Sequence, residues 1–172
     1  DDAEWRRVSV TTFGSRTRGI EVTSSADIVL ALPASDAAHP AFSNLFVHTE
    51  CIADRGTLLA TRRPRSSEDQ EVWLAHVLAV EGETVGDLEW ETDRSHFIGR
   101  GRRVRTAQAV ADGVALSNTV GSVLDPIVAL RRRIRVRPGK TVRVAFSTVV
   151  ASPRREVIDL ADKYDDVTTF ER

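Results

Sequence analysis

Hydrophobic and polar residues alternate along most of the chain, and this period of two predicts a protein built mainly from β-strands. The predicted strands are residues 5–12, 20–32, 45–52, 57–63, 72–80, 88–92, 127–136 and 141–150. The segment 72–80 is the most hydrophobic of them, so we expect it at the centre of a sheet. A turn sequence at residues 137–140, Arg-Pro-Gly-Lys, predicts that the last two strands form a hairpin.

Helical signals are few and short. Residues 36–44 fit a helical turn or a covering loop, and residues 106–110 fit a short helix. Ser152-Pro153 predicts the start of a longer helix, because apolar residues follow at helical spacing. Residues 168–172 are compatible with the start of another helix. The pattern therefore predicts an all-β fold, a two-sheet antiparallel sandwich over residues 1–151, with a C-terminal helix within residues 152–172.

One stretch, residues 90–102, departs from the strand pattern. Gly99 and Gly101 can adopt backbone angles closed to other residues, so Arg100 between them can turn out of the sheet. The stretch contains planar guanidinium donors and aromatic rings. The donors are Arg94, Arg100 and Arg102, with Arg103 directly after the stretch, and the rings are those of Trp90 and Phe97. Such a surface suits a sugar or a phosphate. The alternative is a glycine-bearing turn whose arginines are solvated and whose Phe97 fills core.

Composition limits the possible functions. The chain has 172 residues, of which 41% are hydrophobic and 28% charged, which is ordinary for one globular domain. Its net charge of -1 disfavours nucleic acid and anionic membranes as partners. Its one cysteine, Cys51, excludes an internal disulfide and is expected to pack as a small hydrophobe. The acidic first residues and the lack of a long apolar run predict neither a signal peptide nor a membrane span.

The titratable residues predict neither a metal site nor a catalytic site. The four histidines lie far apart, and His48 and His76 fall within strand patterns. Glu89, Glu91 and Asp93 form a compact acidic group, which a glycoside hydrolase would need as facing carboxylates. Their alternate spacing more readily predicts a solvent-exposed row on one strand face. We therefore expect no catalytic residue, no metal and no cofactor.

A second row of charges consists of four arginines at alternate positions, which places them on one face of the predicted hairpin. They are Arg131, Arg133, Arg135 and Arg137. Nucleic acid or an anionic glycan is one possible ligand. Pairing with acidic residues of a neighbouring strand or domain is the favoured interpretation, because the overall charge is balanced and no aromatic residues are interleaved for base stacking.

Several ordered blocks of sequence resemble the cyclic β-1,2-glucan synthase family, in its region similar to glycoside hydrolase family 94, which includes cellobiose and chitobiose phosphorylases. The blocks are Glu-Val-Thr-Ser at 21–24, Ala-His-Pro-Ala-Phe at 38–42, Leu-Ala-Thr-Arg-Arg-Pro-Arg at 59–65, Glu-Thr-Asp-Arg at 91–94, Phe-Ile-Gly-Arg-Gly at 97–101 and Leu-Asp-Pro-Ile at 124–127. They spread over nearly the whole chain. Ser25 departs from the pattern, since an aromatic residue is expected there.

The resemblance implies a large twisted sandwich, a supersandwich of the galactose mutarotase-like type, that precedes a helical (α/α)6 catalytic barrel of the same polypeptide. The chain contains no methionine, which also predicts a piece of a longer protein. In that family the catalytic acid belongs to the barrel, and the loop at 92–101 approaches the barrel's cleft. By this resemblance Arg94, Phe97, Arg100 and Arg102 are the candidates for contact with sugar or with the neighbouring domain. The parent protein is expected in a bacterial inner membrane, with this domain soluble.

The sequence thus predicts a non-catalytic scaffold that forms one wall of a cleft for a β-glucan or oligosaccharide. Two alternatives remain open. One is an autonomous carbohydrate-binding module, and the other is a purely structural domain, including an interface in a homodimer.

Overall fold

The computed structural model describes residues 2–64, 69 and 71–166. Its strands are β1 (Asp2–Thr11), β2 (Arg18–Asp27), β3 (Val47–Ile52), β4 (Thr57–Arg62), β5 (Trp73–Glu81), β6 (Glu83–Asp93), β7 (Pro126–Val136) and β8 (Thr141–Ala151). Its helices are α1 (Pro33–Ala38), α2 (Pro40–Asn44), α3 (Arg94–Ile98), α4 (Gln108–Ala111) and α5 (Arg154–Tyr164), with 3₁₀ turns at Ala53–Arg55 and Val104–Thr106. The helix predicted within residues 168–172 lies outside the described residues.

The strands form two antiparallel sheets, as the sequence predicted. One sheet has the order β1-β8-β5-β4-β3 and the other the order β2-β7-β6. The apolar strand β5 lies in the middle of the larger sheet, which confirms its predicted central place. The main core lies between the sheets, where Leu58, Leu74 and Leu78 of one sheet cluster with Leu130 and Ile134 of the other. Burial of these side chains holds the two layers together.

Each sheet also has a covered outer face. Helix α5 packs Val157 and Ala161 against Trp73 and Ala75 of the larger sheet, which explains why β5 is hydrophobic on both faces. The predicted helix thus exists, and it begins at Arg154 with Pro153 as its N-cap residue. On the smaller sheet, α3, α4 and the chain near Leu116 cover the outer side of β7.

The predicted hairpin of the last two strands is wrong. Residues 137–140 do reverse the chain between β7 and β8, but β7 pairs with β2 and β6, whereas β8 pairs with β1 and β5. A turn sequence specifies only a local reversal. The chain therefore crosses from one sheet to the other at this turn.

Strand β2 is shorter than predicted, since it ends at Asp27 and not near residue 32. Asp27 pairs with Ile127, and the partner strand β7 begins one residue earlier, at Pro126. Beyond that point β2 has no neighbour to bond with. The chain instead leads into α1, which has Pro33 in its first turn, where the missing N–H costs nothing.

Candidate functional site

The stretch predicted to carry the function forms one corner of the smaller sheet. Residues 90–93 complete β6, α3 follows directly, and a turn through Gly99 and Gly101 leads to the 3₁₀ turn Val104–Thr106. We call residues 94–105 the rim. Asp93 fixes where the rim begins, because its Oδ1 accepts hydrogen bonds from the backbone N of Ser95 at 2.8 Å and from Ser95 Oγ at 2.7 Å. Asp93 is thus the N-cap of α3.

The two glycines of the rim are used as predicted. Gly99 and Gly101 have φ angles of 85° and 72°, in the region that favours glycine. A Cβ on Gly99 would also lie 2.8 Å from Oε1 of Gln108. Gln108 in turn donates from Nε2 to the carbonyl of His96 at 2.8 Å, tying α4 to α3. The exposed Arg100 projects from the turn between the two glycines.

Arg94 and Arg102 are each anchored by a carboxylate. Arg94 Nε lies 3.1 Å from Asp27 Oδ1, and its Nη1 lies 3.7 Å from Asp125 Oδ2. Arg102 Nη2 lies 2.6 Å from Asp112 Oδ2. The hydrogen bond to Asp112 raises the pKa of Arg102 above its usual value. Both guanidinium groups keep part of their surface exposed, so each retains donors that point to solvent.

Phe97 does not lie on the surface. Its side chain is only 2% exposed and packs with Ile98, Ala107 and Ile127 beneath the rim. The alternative in which Phe97 fills core therefore describes this residue, because a five-residue helix must bury one side to be held on the sheet. Phe97 supports the rim and does not form its contact surface.

The remaining rim arginines have no ion-pair partner among the described residues. Arg100, Arg103 and Arg105 are exposed, and their guanidinium groups form no ion pair with any described residue. Val104, between two of them, is an exposed apolar side chain. Sequence reasoning did not select Arg105, although the run Arg-Gly-Arg-Arg-Val-Arg at 100–105 contained the signal.

A small pocket of about 90 Å³ lies beside the rim, lined by Ser25, Asp27, Arg94, Phe97, Ile98, Val104 and Ile127. This volume holds roughly three waters at ~30 Å³ each, so it is too small for a sugar ring. A saccharide at the rim would therefore lie on its surface and not inside this pocket.

The acidic group on β6 is structural, and its prediction as a solvent-exposed row is wrong. Glu91 is 2% exposed and accepts hydrogen bonds from Thr92 N, Asp93 N, and both N and Oγ of Ser117. Glu89 binds Arg131. The row is covered because residues 114–119 fold back over this face of β6, which the strand pattern alone does not show.

The row of arginines on β7 pairs with neighbouring strands, which confirms the favoured interpretation. Arg133 contacts Glu21 of β2 at 3.1 Å, and both Arg135 and Arg137 contact Glu83 of β6. Arg131 differs from the other three, because its side chain is buried and only 1% exposed. Its donors reach Glu21 and Glu89, the carbonyl of Val114 at 3.0 Å and the carbonyl of Ala109.

A second concave feature, missed by sequence reasoning, lies between β6 and the β3–β4 connection. This cleft has a volume of about 680 Å³, and its polar lining includes Asp54, Asp87, Asn118, Arg132 and Asp165, with Trp90 at its wall. Burial, and then the charge of Asp162, raise the pKa of Asp165.

Other chemistry is limited in the described part of the chain. No three His, Cys, Asp or Glu side chains there are grouped as a metal site would require. Burial and the charge of Asp54 raise the pKa of Cys51 to about 11, so its thiol is not activated. No helix among these residues is long and apolar enough to cross a membrane.

The sequence comparisons decide the family. A family model of the glycosyl hydrolase 94 supersandwich domain matches residues 1–167. The chain belongs to this family. The supersandwich domain is also 42% identical, over 170 residues, to the cyclic beta-(1,2)-glucan synthase NdvB of Rhizobium meliloti (strain 1021). That alignment covers 98% of the supersandwich domain but only 6% of the relative.

Proposed function

We propose that this supersandwich domain is a non-catalytic part of a cyclic β-1,2-glucan synthase-like protein, in which the rim forms one wall of a saccharide cleft. The name of the 42% identical relative supports the parent activity, and the whole-chain match supports the domain. The cleft would be completed by an (α/α)6 catalytic domain of the same polypeptide, which would supply the catalytic acid.

The proposal rests on the exposed guanidinium groups of Arg100, Arg103 and Arg105, which have no ion-pair partner among the described residues. They lie in the same rim as Arg94 and Arg102, which are anchored by carboxylates. A paired guanidinium group has some of its five donors occupied, whereas an unpaired one can present all of its planar donors to an incoming hydroxyl or phosphate oxygen. The glycine turn and the Asp93 cap define the backbone from which these side chains project.

The test uses the full-length synthase that contains this domain, in two variants. Arg100→Ala is expected to raise the KM for the glucan substrate roughly tenfold, as loss of a charge-assisted hydrogen bond predicts. Arg16→Ala, at another exposed arginine in the β1–β2 turn, serves as the matched control and should leave KM unchanged. Unchanged kinetics in Arg100→Ala together with altered subunit assembly would overturn the cleft wall and support an interface, including one between two copies.

A second candidate function is an autonomous carbohydrate-binding module, and the 680 Å³ cleft beside Trp90 favours it. Its volume falls within the ~300–1,000 Å³ typical of small-molecule sites, and carboxylates with an aromatic wall suit a sugar. Calorimetry of the 172-residue chain with a β-1,2-linked glucooligosaccharide separates the two functions. The module predicts binding that Asp87→Asn weakens, whereas the cleft wall predicts no measurable binding without the catalytic domain.

A further inference from the structure

The two sides of the sandwich end differently. On one side, residues 117–121 run along the edge strands of both sheets. Gly121 and Thr49 of β3 exchange two backbone hydrogen bonds of 3.0 Å, and Asn118 N donates to the carbonyl of Trp90 on β6 at 3.0 Å. The opposite edge strands are β1 and β2, of which β1 pairs only with β8 and β2 only with β7 among the described residues. The first side is therefore closed by backbone hydrogen bonds, whereas no described residue closes the second.

Strand β1 has the properties of an edge that a further strand can join. Its ten residues, Asp2–Thr11, pair with β8 in one uninterrupted register and contain no proline. Most of its side chains are exposed, including the apolar Trp5 at 48% and Val8 at 42%. A long, regular edge with exposed apolar residues favours addition of another strand, because its outward N–H and C=O groups can then form a ladder.

The two faces of β1 carry different side chains. Val10 packs with the core between the sheets, and Ala3 packs with the cluster that α5 covers. Because side chains alternate along a strand, Glu4 and Arg6 share the inner face with Val10, and Trp5 lies on the outer face. Arg6 Nη2 lies 2.7 Å from Glu4 Oε1, yet the two side chains are 73% and 68% exposed. An added strand can therefore reach both charges.

The order of these charges matches a second copy of the same strand. Inward-pointing charges usually protect an edge, but here a glutamate and an arginine lie on either side of Trp5 in the sequence. A two-fold axis perpendicular to a sheet preserves its faces, so residues on the same face oppose one another. When two β1 strands pair antiparallel with Trp5 at the centre, Glu4 of each copy lies opposite Arg6 of the other.

The neighbouring registers lack this complementarity. With Glu4, Arg6 or Arg7 at the centre, that residue would lie opposite the same residue of the second copy, and like charges directly opposite are destabilising. With Trp5 at the centre, the two indole rings instead meet on the outer face, and aromatic pairs across strands are stabilising. Charge and ring contacts thus select a single register.

We propose that two copies of this domain associate through β1, in the antiparallel register centred on Trp5, so that their five-stranded sheets form one continuous sheet. An isologous contact of this kind closes on itself and therefore stops at the dimer. The contact lies on β1, outside the rim, so the inference does not rest on the proposed function.

The experiment measures the mass of the 172-residue chain by sedimentation equilibrium over a range of concentrations. The mass should rise from 19.0 kDa toward twice that value, with a dissociation constant in the micromolar range. Arg6→Glu and Glu4→Arg each place like charges opposite one another, so each should weaken the dimer at least tenfold. An equimolar mixture of the two variants should dimerise again, because two glutamates of one chain then lie opposite two arginines of the other.

Arg155→Glu is the matched control. Arg155 is also an exposed arginine beside a carboxylate, 4.0 Å from Asp159, but it lies on α5, so this variant should dimerise as the wild type does. Thermal unfolding should be nearly unchanged in all these variants, since exposed ion pairs contribute little to stability.

Three results would overturn the proposal. The first is a chain that stays monomeric at every concentration, which would leave β1 to a strand of the parent polypeptide or of another protein. The second is a dimer that Arg6→Glu does not weaken, or a mixture of the two variants that fails to restore it. The third is a dimer lost in Arg100→Glu but kept in Arg6→Glu, which would place the contact in the rim.

Discussion

Arginines are similarly dense in β7 and in the rim, but Arg100, Arg103 and Arg105 of the rim differ from the arginines of β7 in what they contact. On β7, Arg131 and Arg133 share the carboxylates of Glu21 and Glu89. In the rim, Arg100 and Arg105 are exposed and form no ion pair with a described residue. The row on β7 joins strands to one another, whereas the rim presents its donors outward.

The difference comes from what lies next to each arginine. Strand β7 is the middle strand of its sheet, so acidic residues on β2 and β6 flank its side chains on both sides. The rim has no such neighbour at its turn, because Gly99 and Gly101 carry no side chain that could bond to Arg100. An arginine becomes structural where a paired strand supplies a carboxylate, and it remains available for binding where none is supplied.

The largest expected effect tests whether Arg131 is structural. Arg131→Met should lower the free energy of unfolding by about 3 kcal/mol, because it leaves Glu89 and the carbonyls of Ala109 and Val114 without their buried donor. Urea denaturation monitored by tryptophan fluorescence measures this change.

Arg133→Met is the matched control, because Arg133 uses the same two carboxylates while its side chain is 57% exposed. Its loss should be below about 1 kcal/mol, as expected of an exposed ion pair. Equal losses in the two variants would show that burial does not distinguish these arginines, and the comparison would then fail.

A smaller effect tests how firmly the rim is held. Asp93→Ala removes the side-chain acceptor for Ser95 N and should lower the free energy of unfolding by about 1 kcal/mol, the usual value for an N-cap. In the full-length synthase the same variant should raise the KM for glucan in the direction expected of Arg100→Ala. Asp36→Ala is the control, since Asp36 lies in the first turn of α1 without serving as its cap. If Asp93→Ala changes neither quantity more than this control does, the cap does not position the rim.

The strands could be predicted from the sequence, but their partners could not. A nearly continuous run of apolar residues identified the central strand β5, and each of its faces packs against a separate cluster. The turn at 137–140 led to the wrong prediction of a hairpin, because a tight reversal of the chain is compatible both with a hairpin and with a crossing between sheets. Which of the two occurs depends on contacts between strands far apart in the chain.

The sequence predicted part of the backbone geometry of the candidate rim. The residue type of Gly99 and Gly101 was enough to predict a turn with positive φ angles. Asp93 is also a residue type typical of an N-cap, a signal that was not used. The burial of Phe97 was one of the two interpretations of the stretch, whereas that of Arg131 was not predicted, because Arg131 is covered by a segment more than ten residues away in sequence. The local sequence pattern predicts the strand to which a side chain belongs, but it does not predict which distant loop covers that side chain.

The smallest expected effect is a pH dependence of stability at Glu83, which pairs with Arg135 and Arg137 at the exposed end of the arginine row. Hydrogen bonds from Arg137 and then Arg135 lower the pKa of Glu83 below its ordinary value of 4.5. A carboxyl whose folded pKa lies below its unfolded pKa stabilises the fold above the unfolded pKa, and this stabilisation is lost as pH falls through the folded pKa. The difference in unfolding free energy between wild type and Glu83→Gln should therefore be constant above about pH 5.5 and shrink below pH 4.5.

The cause of this pH dependence can be removed separately from Glu83. In an Arg135→Gln, Arg137→Gln background, Glu83 loses both donors, so Glu83→Gln should no longer change the pH profile. A pH-dependent difference that persists in that background would show that the arginines do not set the pKa of Glu83. Because all three side chains are at least partly exposed to solvent, added salt should also weaken the effect, whereas the buried Arg131 contacts should be much less sensitive to salt. The contrast in salt response would then distinguish the buried Arg131 from the exposed Arg135 and Arg137, whose ion pairs with Glu83 contribute less to stability.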